Sequence, residues 1–464
     1  MDRVPRSALL AAVCVLLGVA TLLIPASPSY DPWSWIIWGR EVLDGDLRTA
    51  TGPSWKPLPV LFTAPLSLFG DAAPALWLVV ARAAQFAAAV PAALIGFRLA
   101  GRLGAILSGG LLLSFTALWE STLQGHAEGA LVLCVLAAVE RHLAARHGPA
   151  FAWALGAALL RPEAWAFLGL YAAWLALRQR GRLAWIVPAL AFVPLLWFLP
   201  EQWGSGSLSR GAERAQLAGA DSPGAAEHPA VEVVRNAFDL SPGIVFLGLA
   251  AGLAACWVRR PSRRALLLAI ALAALGVGWV AQVAVMSELG YSGIDRYLLP
   301  AVAIAHVLAG VGLAALLAGL VGARRSAATG AAVLLVLLGA GLMVRAGSAD
   351  WPRSMDQIER IDAITDEFDT AVARAGGRPR LERCGAISAS QLATPVVAWD
   401  FDRHLEQVTN HPRVPGSILR ARLRGDLPVD PPLNALARTP GRTVLARTRW
   451  WTVEAACSPA AAGP

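Results

Sequence analysis

The sequence predicts an all-α polytopic membrane protein of about 11 transmembrane helices, with a small extracytoplasmic α+β domain at the C-terminus. Three observations predict this fold class. The 464 residues are 56% hydrophobic and 16% charged, and the mean hydropathy is +0.53, which excludes a soluble multidomain chain. Many apolar runs approach the roughly 20 residues that cross a bilayer. Beyond residue 346 the sequence contains many charged residues and only short apolar runs.

The apolar runs give the predicted spans in order. They cover residues 7–24, 73–99, 102–119, 127–143, 150–160, 163–177, 183–199, 242–258, 264–286, 297–321 and 327–346. The first run could be a signal peptide, but no convincing small-residue cleavage site precedes Tyr30, so we interpret it as a span. Runs 150–160 and 163–177 could form one tilted helix, but Pro162 favours a break between them.

Arginines occur in alternate loops between these spans. The clusters are Arg3 with Arg6, Arg98 with Arg102, Arg141 with Arg146, Arg178 to Arg182, Arg259 to Arg264, and Arg324 with Arg325. Positive charge in short loops marks the cytoplasmic side. The sequence therefore predicts a multi-pass plasma membrane protein with a cytoplasmic N-terminus and an extracytoplasmic C-terminus.

Two domains are predicted. Residues 1–346 form the transmembrane domain, which includes an outer loop at 26–72, and residues 347–464 form the C-terminal domain. In the latter, apolar residues recur at helical spacing over 353–375. Shorter runs at 395–399, 417–422 and 443–453 resemble strands.

Charge and cysteine usage limit the partners. The net charge is +8, but the cations lie in loops between spans rather than on one folded face, which argues against nucleic acid. No glycine-rich nucleotide motif follows a strand, so a nucleotide donor is not expected. Cys384 and Cys457 both lie in the outer tail, where an oxidising exterior permits a disulfide. Two free thiols are the alternative.

The first outer loop holds the densest chemistry. Asp31 precedes Pro32 at the start of a short helix, whose Trp33, Ile36, Ile37 and Trp38 would form one face lying in the lipid headgroup layer. Asp31 could serve only to cap this helix. The same position would also hold its carboxylate just outside the bilayer, within reach of a lipid headgroup.

The order of these features resembles the GT-C superfamily of polytopic glycosyltransferases. The resemblance is greatest to the branch of protein O-mannosyltransferases and the lipid A aminoarabinose transferase, and several bacterial cell-envelope mannosyl- and arabinofuranosyltransferases are similar in outline. The matching elements, within residues 1–145, are Asp31, Lys56-Pro57-Leu58-Pro59, Leu68-Phe69-Gly70, Ala81-Arg82 and Arg98-Leu99-Ala100. One departure is that the family often has a second acid beside the first, whereas Tyr30 and Pro32 flank Asp31.

The resemblance implies transfer of a hexosyl or pentosyl group from a polyprenyl-phosphate donor, with inversion at the anomeric carbon. The enzyme would work in contact with membrane lipids. The acceptor would be an extracytoplasmic cell-envelope glycan, lipoglycan or glycoprotein. Such a reaction needs a base for the acceptor hydroxyl, for which Asp31 is the candidate. It also needs cations beside the departing phosphate. The candidates for the phosphate site are Lys56, Arg82, Arg296 and Tyr297.

Lys56 is the only lysine in the chain, which suggests a place for a compact ammonium. A lysine that extends to a headgroup is the alternative. Arg82 lies within a predicted span, where a charge normally faces a cavity or a partner, and a structural ion pair is its alternative role.

Four further residues are predicted to contact the acceptor or the cavity. They are His126, Glu128, Arg161 and Glu163. Arg161 and Glu163 could instead form a self-contained ion pair. The His126-x-Glu128 spacing is a poor metal signal, so no metal site is predicted, although a related branch of the superfamily binds a divalent metal.

Two other functions remain open from the sequence. Many spans with buried charges also suit a transporter or lipid flippase, but the internal repeats common in transporters are not evident. A noncatalytic envelope scaffold would explain the tail, but would leave Arg82 and Glu128 without a role.

Overall fold

A computed structural model describes most of residues 6–457. The residues outside the description within that range are 180, 182, 218, 220–221, 242, 245–247, 249, 253–261, 323–340, 342–344, 346–350, 412 and 423–441. The described chain is mostly helical, with one small sheet near the C-terminus. The predicted spans 242–258 and 327–346 lie largely outside the described residues.

Most described helices of the first part overlap the predicted apolar runs, and four lie between those runs. They are α1 (Arg6–Ala20), α2 (Tyr30–Asp44), α3 (Pro57–Ser67), α4 (Ala73–Leu113), α5 (Thr116–Leu123), α6 (Glu128–Leu143), α7 (His147–Leu160), α8 (Ala164–Arg178), α9 (Leu183–Ser205), α10 (Arg210–Ala215), α11 (Pro229–Asp239), α12 (Arg263–Glu288) and α13 (Leu299–Gly322). Helix α4 is central, because α1, α6 and α13 all pack against it.

Helices long and apolar enough to cross a membrane are present. Among the described residues they cover Gly70–Leu113, Ala184–Ser205, Arg263–Glu288 and Leu299–Gly319, and shorter apolar helices cover Ser7–Leu23, Pro57–Ser67 and Ala164–Arg178. These helices support a membrane location. The full set of eleven spans and their orientation remain predictions.

Helix α4 turns back on itself. Ala100 and Gly101 leave helical geometry, and Gly101 has a φ of +70°, which glycine tolerates readily. Gly96 and Gly104 then pack so closely that a Cβ on either would lie 2.3 Å from the other's carbonyl oxygen. The segment is therefore two antiparallel helices, as the separate runs 73–99 and 102–119 predicted. The second helix ends at Leu113, before the short helix α5.

The chain also breaks between α7 and α8. Arg161 adopts an extended conformation, with φ −147° and ψ 131°, as expected for a residue before proline. Helix α8 then starts at Ala164. The structure confirms the predicted break, and this break brings Arg161 and Glu163 to one end of two short helices.

The first outer loop contains two helices that pack on each other, α2 and α3. The prediction that one side of α2 lies in the lipid headgroup layer is wrong, because the residues of that side are buried within the protein. They are Trp33, Ile36, Ile37 and Trp38. Gly39 allows this burial, because it lets the backbone of α3 approach α2 directly at Thr63. Burial of large aromatic side chains against protein thus replaces contact with lipid.

The C-terminal part combines short helices with a five-stranded sheet. Its elements are α14 (Trp351–Asp366), α15 (Phe368–Arg374), α16 (Arg378–Arg383), β1 (Ala386–Ala389), α17 (Thr394–Asp400), β2 (Val408–Thr409), β3 (Gly416–Ala421), β4 (Thr443–Arg447) and β5 (Trp451–Ala456). The strand order is β2-β1-β3-β5-β4. Strand β1 is parallel to β2 and β3, whereas β5 is antiparallel to β3 and β4.

Sequence and structure differ at several points of this sheet region. The strand predicted at 395–399 is helix α17, because Pro395 in the first turn favours a helix start over the β-branched residues that follow. The helix predicted over 353–375 is divided into α14 and α15 at Glu367. Strands β1 and β2 are too short for their pattern to be recognised. The run at 417–422 is largely strand β3, as predicted, whereas the run at 443–453 contains strand β4, a turn and the start of β5.

Helix α2 joins the membrane helices to the C-terminal sheet region. Trp33 packs against Trp399 with ring centroids 6.1 Å apart. Arg40 forms an ion pair with Asp402 at 2.7 Å. The buried carboxylate of Glu41 contacts Nδ1 of His404 at 2.9 Å. The residues that follow Tyr30 are therefore fixed from two sides. The division at residue 346 remains a prediction.

The substitution Gly39→Ala tests the contact between α2 and α3. A Cβ at residue 39 would lie 2.6 Å from the backbone of Thr63, so the helices must separate. We expect a loss of about 1–3 kcal/mol in stability, measured as a lower apparent Tm of the detergent-solubilised protein. In the control Gly110→Ala, nothing lies within 4 Å of the added Cβ. An equal loss in both variants would contradict the close packing at Gly39.

Candidate active site

A cavity of about 740 Å³ lies where the outer loop, the membrane helices and the C-terminal region meet. The start of α2, the break between α7 and α8, and the ends of α9 and α12 contribute lining residues. Helix α10 and the turn that contains Arg296 complete the membrane side. Helices α14 and α17 line the opposite side. The sequence did not predict that the C-terminal region lines this site.

Asp31 and Arg296 form an ion pair at this cavity. Nη2 of Arg296 lies 3.2 Å from Oδ2 of Asp31, although 264 residues separate them along the chain. Nη1 of Arg296 donates to Nδ1 of His126 at 2.5 Å. Nε2 of His126 lies 2.7 Å from Oγ of Ser29. The four side chains form one hydrogen-bonded chain across three loops.

The partners of His126 fix its protonation. A guanidinium only donates hydrogen bonds, so Nδ1 of His126 must accept, and the neutral ring carries its proton on Nε2, directed at Ser29. Burial, together with the charge of Arg296, lowers the pKa of His126 to about 3. The ring is therefore neutral at physiological pH, and it orients Arg296 without competing for Asp31.

Asp31 is held in its ionised form. Burial by itself would raise the pKa of its carboxyl, but the charge of Arg296 outweighs this effect and the pKa lies below its ordinary value. In the described part of the chain, Oδ1 of Asp31 has no hydrogen-bond donor. One oxygen thus anchors the carboxylate, and the other remains available to a ligand in the cavity.

Lys56 lines the same cavity and is only 8% exposed. Its Nζ lies 4.8 Å from the ring centroid of Trp35, a cation–π contact that compensates little of the lost hydration. Burial, with a further contribution from Arg161, lowers the pKa of Lys56 to about 7. The ammonium is therefore poised to gain stability from any anion that enters.

Arg161 is a second buried cation at the cavity, and Glu128 is its counterion. Its guanidinium also stacks over the ring of Tyr297 at 4.3 Å. Glu128 accepts a hydrogen bond from Oγ of Ser121 at 3.2 Å and does not itself line the cavity. The predicted place of Glu128 at the cavity surface is therefore wrong, because it lies behind Arg161.

Glu163 has a different environment from Glu128. It lines the cavity and is 4% exposed, but among the described residues its Oε2 has no hydrogen-bond partner. The structure shows no ion pair between Glu163 and Arg161 within the described chain. A buried carboxylate oxygen normally has a donor, so Glu163 is suited to a ligand group.

Arg82 does not contribute to the cavity, which overturns its predicted place at the phosphate site. It is fully buried, and its guanidinium donates to the carbonyl oxygens of Thr21 at 2.7 Å and Leu123 at 2.8 Å. These carbonyls lie at helix ends, where backbone acceptors lack intrahelical donors. Arg82 therefore binds buried backbone carbonyls of the first outer segment and of the end of α5.

Several cavity residues were missed from the sequence. Arg214 lines the cavity from α10, and Glu201 lines it from α9. Glu201 accepts hydrogen bonds from the Thr49 hydroxyl at 3.1 Å and the Trp55 amide at 3.1 Å, so it connects α9 to the outer loop. Residues 200–241 are a polar stretch between two predicted spans, and the arginines at 210 and 214 within it were the available signal.

Two further features bear on the predicted sites. Cys384 and Cys457, the pair considered from the sequence, are joined as a disulfide. In the part of the chain that the structure describes, no group of three or more His, Cys, Asp or Glu side chains is placed to hold a metal ion.

Two solved structures share this fold over nearly the whole chain. Both are crystal structures of ArnT, the lipid A aminoarabinose transferase, from Cupriavidus metallidurans. The form bound to undecaprenyl phosphate is 15% identical, with a TM-score of 0.60. The apo form is 16% identical, with a TM-score of 0.61. Each comparison covers 99% of both chains. The likeness confirms the predicted GT-C-like fold.

A crystal structure of the Archaeoglobus fulgidus oligosaccharyltransferase, tethered with an acceptor peptide, is a more distant match. It is 14% identical, with a TM-score of 0.46, and the comparison covers 85% of this chain and 63% of that one. No protein-family model matches the chain, and no curated protein matches it either.

Glu128→Gln and Glu163→Gln distinguish a structural carboxylate from one free for a ligand. Glu128→Gln removes the counterion of a buried arginine, so we expect a loss of about 3 kcal/mol. Glu163→Gln neutralises a group whose Oε2 has no partner among the described residues, so stability should stay within about 0.5 kcal/mol. The apparent Tm of each purified variant is the measurement. Equal losses would argue against the separate environments.

Proposed function

We propose that this protein is a membrane glycosyltransferase that moves a sugar from a polyprenyl-phosphate donor to an extracytoplasmic acceptor, with inversion. One observation carries the proposal: an ionised carboxylate, Asp31, lies at the same cavity as the cations Lys56, Arg161 and Arg296. The shared fold with an ArnT crystallised with undecaprenyl phosphate supports it.

The cations suit the departing phosphate. As the bond from the sugar to the phosphate breaks, negative charge grows on the phosphate oxygens and favours fixed positive groups in a dry site. Lys56 and Arg161 are both buried at the cavity, and aromatic rings hold both of them. Tyr297 positions Arg161 by this stacking. We therefore assign Lys56, Arg161 and Arg296 to the donor phosphate.

Asp31 suits the role of base. An acceptor oxygen attacks the anomeric carbon, the bond from that carbon to the phosphate oxygen breaks, and the acceptor proton passes to Oδ1 of Asp31. The products are the new glycoside and the free polyprenyl phosphate. Because Arg296 holds the carboxylate below its ordinary pKa, Asp31 is ionised at neutral pH and accepts the proton only as the acceptor oxygen forms its bond.

The location follows from the same proposal. We place the helical domain, residues 1–346, in the plasma membrane, with the N-terminus in the cytoplasm and residues 347–464 outside. Arg98 and Arg141 both pair with Glu140 on α6. They lie at the end of α6 opposite Glu128 and the cavity, which agrees with arginine on the cytoplasmic side. The donor sugar is then presented at the outer leaflet.

Asp31→Asn tests the base. The substitution keeps the size of the side chain but removes the proton acceptor, so we expect transfer from polyprenyl-phosphoryl sugars to fall about 10²- to 10⁴-fold. Binding of undecaprenyl phosphate should persist, because the cations remain. The measurements are transfer of labelled sugar and a binding titration of the purified protein.

Asp44→Asn is the matched control, since Asp44 ends the same helix, is exposed and does not line the cavity. It changes the charge by the same amount and should leave transfer unchanged. Equal transfer by wild type and Asp31→Asn would refute the base assignment. If no such donor supports transfer and undecaprenyl phosphate does not bind, the enzyme proposal itself is wrong.

The lowered pKa of Lys56 predicts that binding of undecaprenyl phosphate depends on pH. Its pKa of about 7 in the free site means that the ammonium is charged below neutral pH and increasingly neutral above it. We expect wild type to bind undecaprenyl phosphate about tenfold more tightly than Lys56→Met at pH 6. The difference should shrink toward pH 9, as the lysine loses its proton. A ratio independent of pH would contradict the lowered pKa.

A further inference from the structure

The two sides of the cavity differ in chemistry. The charged lining residues of the described chain all lie within residues 31–296. None of the described lining residues beyond residue 350 is charged. The polar ones there are Gln357, Thr365 and Gln391, and the others are aliphatic. The cavity therefore has a charged wall, built by the membrane side, and an uncharged wall, built by the C-terminal region.

The wall is uncharged even though the helices that form it contain charged residues. Helix α14 contributes a large part of the wall, and six of its 16 residues are charged. These are Arg353, Asp356, Glu359, Arg360, Asp362 and Asp366. The face of α14 toward the cavity consists instead of isoleucines, Gln357 and Thr365. Amides and hydroxyls both donate and accept hydrogen bonds, so this face suits a neutral polar ligand.

A second observation points to a ligand at the same place. Trp33 lines the cavity one turn from the start of α2, two residues after Asp31, and is 5% exposed. Among the described residues, its indole N–H has no acceptor, although a buried indole N–H usually has one. A ligand oxygen that reached this N–H would satisfy it.

We propose that Trp33 and the uncharged wall form the acceptor subsite, and that the acceptor is a neutral carbohydrate. This inference rests on the proposed transferase function. Sugar hydroxyls match the amide and hydroxyl groups of Gln357 and Thr365, and the isoleucine side chains cover the C–H faces of a sugar ring. A phosphorylated acceptor would lack a cation on this wall.

A peptide acceptor fits this wall less well. Extended peptides commonly bind by adding a strand to a sheet edge. Here the described lining residues of the C-terminal region come from helices α14 and α17 and the turn before α17, so no strand edge of the described sheet faces the cavity. The reacting hydroxyl of the sugar would lie near Asp31, its proton acceptor, with a neighbouring oxygen on the indole N–H of Trp33.

The test measures binding of three probes to the full-length protein saturated with undecaprenyl phosphate. The probes are an alkyl glycoside of a neutral disaccharide, the same glycoside carrying one phosphate, and a short serine-containing peptide. By calorimetric titration we expect the neutral glycoside to bind at least about tenfold more tightly than either of the others. Trp33→Phe keeps an aromatic ring but removes the N–H. It should weaken binding of the neutral glycoside about fivefold without changing the binding of undecaprenyl phosphate.

A gain of function provides a second, independent test. Gln357→Lys places a cation at an exposed position of the uncharged wall and should tighten binding of the phosphorylated glycoside about fivefold. The control Gln202→Lys adds the same charge at an exposed position on α9 that does not line the cavity, and should have no effect.

Three results would overturn the inference. The first is that the wild type binds the phosphorylated glycoside as tightly as the neutral glycoside, or more tightly. The second is that it binds the peptide in place of the neutral glycoside, and the third is that it does not bind undecaprenyl phosphate. If either of the first two occurred while undecaprenyl phosphate still bound, only the acceptor assignment would fail. If undecaprenyl phosphate itself did not bind, the proposed transferase function would fail as well, and the acceptor inference with it.

Discussion

The ion pair between Asp31 and Arg296 is the interaction on which the rest of the site depends. It connects the first outer helix to the turn before α13, and it extends through the neutral ring of His126 to Ser29. The pair keeps the carboxylate ionised and leaves one oxygen for a ligand. Burial by itself raises the pKa of the Asp31 carboxyl, and the charge of Arg296 acts in the opposite direction.

The remaining cations are held in ways that leave positive charge at the cavity. Arg161 has a buried counterion in Glu128 and stacks on Tyr297, so it stays charged. Lys56 lies over the ring of Trp35, and burial lowers its pKa to about 7. An entering phosphate would stabilise the ammonium. The cavity is thus lined by one cation that keeps its charge, Arg161, and one that can lose its proton, Lys56. This pair suits binding an anion and later releasing it.

Helix α2 connects the chemistry to the C-terminal region. Its first turn carries Asp31 and Trp33 at the cavity, and its later turns bind the C-terminal region through Arg40 and Glu41. The C-terminal region in turn supplies the uncharged wall. The C-terminal region, which the sequence presents as an appended tail, is therefore part of the cavity. Helix α2 contacts both the membrane helices and this region, and so sets the distance between the Asp31 carboxylate and the uncharged wall.

The sequence by itself determined the helical membrane fold, the break at Pro162 and the candidates Asp31, Lys56 and Arg296, because hydrophobic length, proline geometry and rare charges are local properties. Only the tertiary structure decided which charges meet. It paired Arg161 with Glu128 rather than Glu163, and it used Arg82 to bind backbone carbonyls away from the cavity. These outcomes depend on contacts between segments far apart in the chain, and no local pattern encodes the partner of a buried charge.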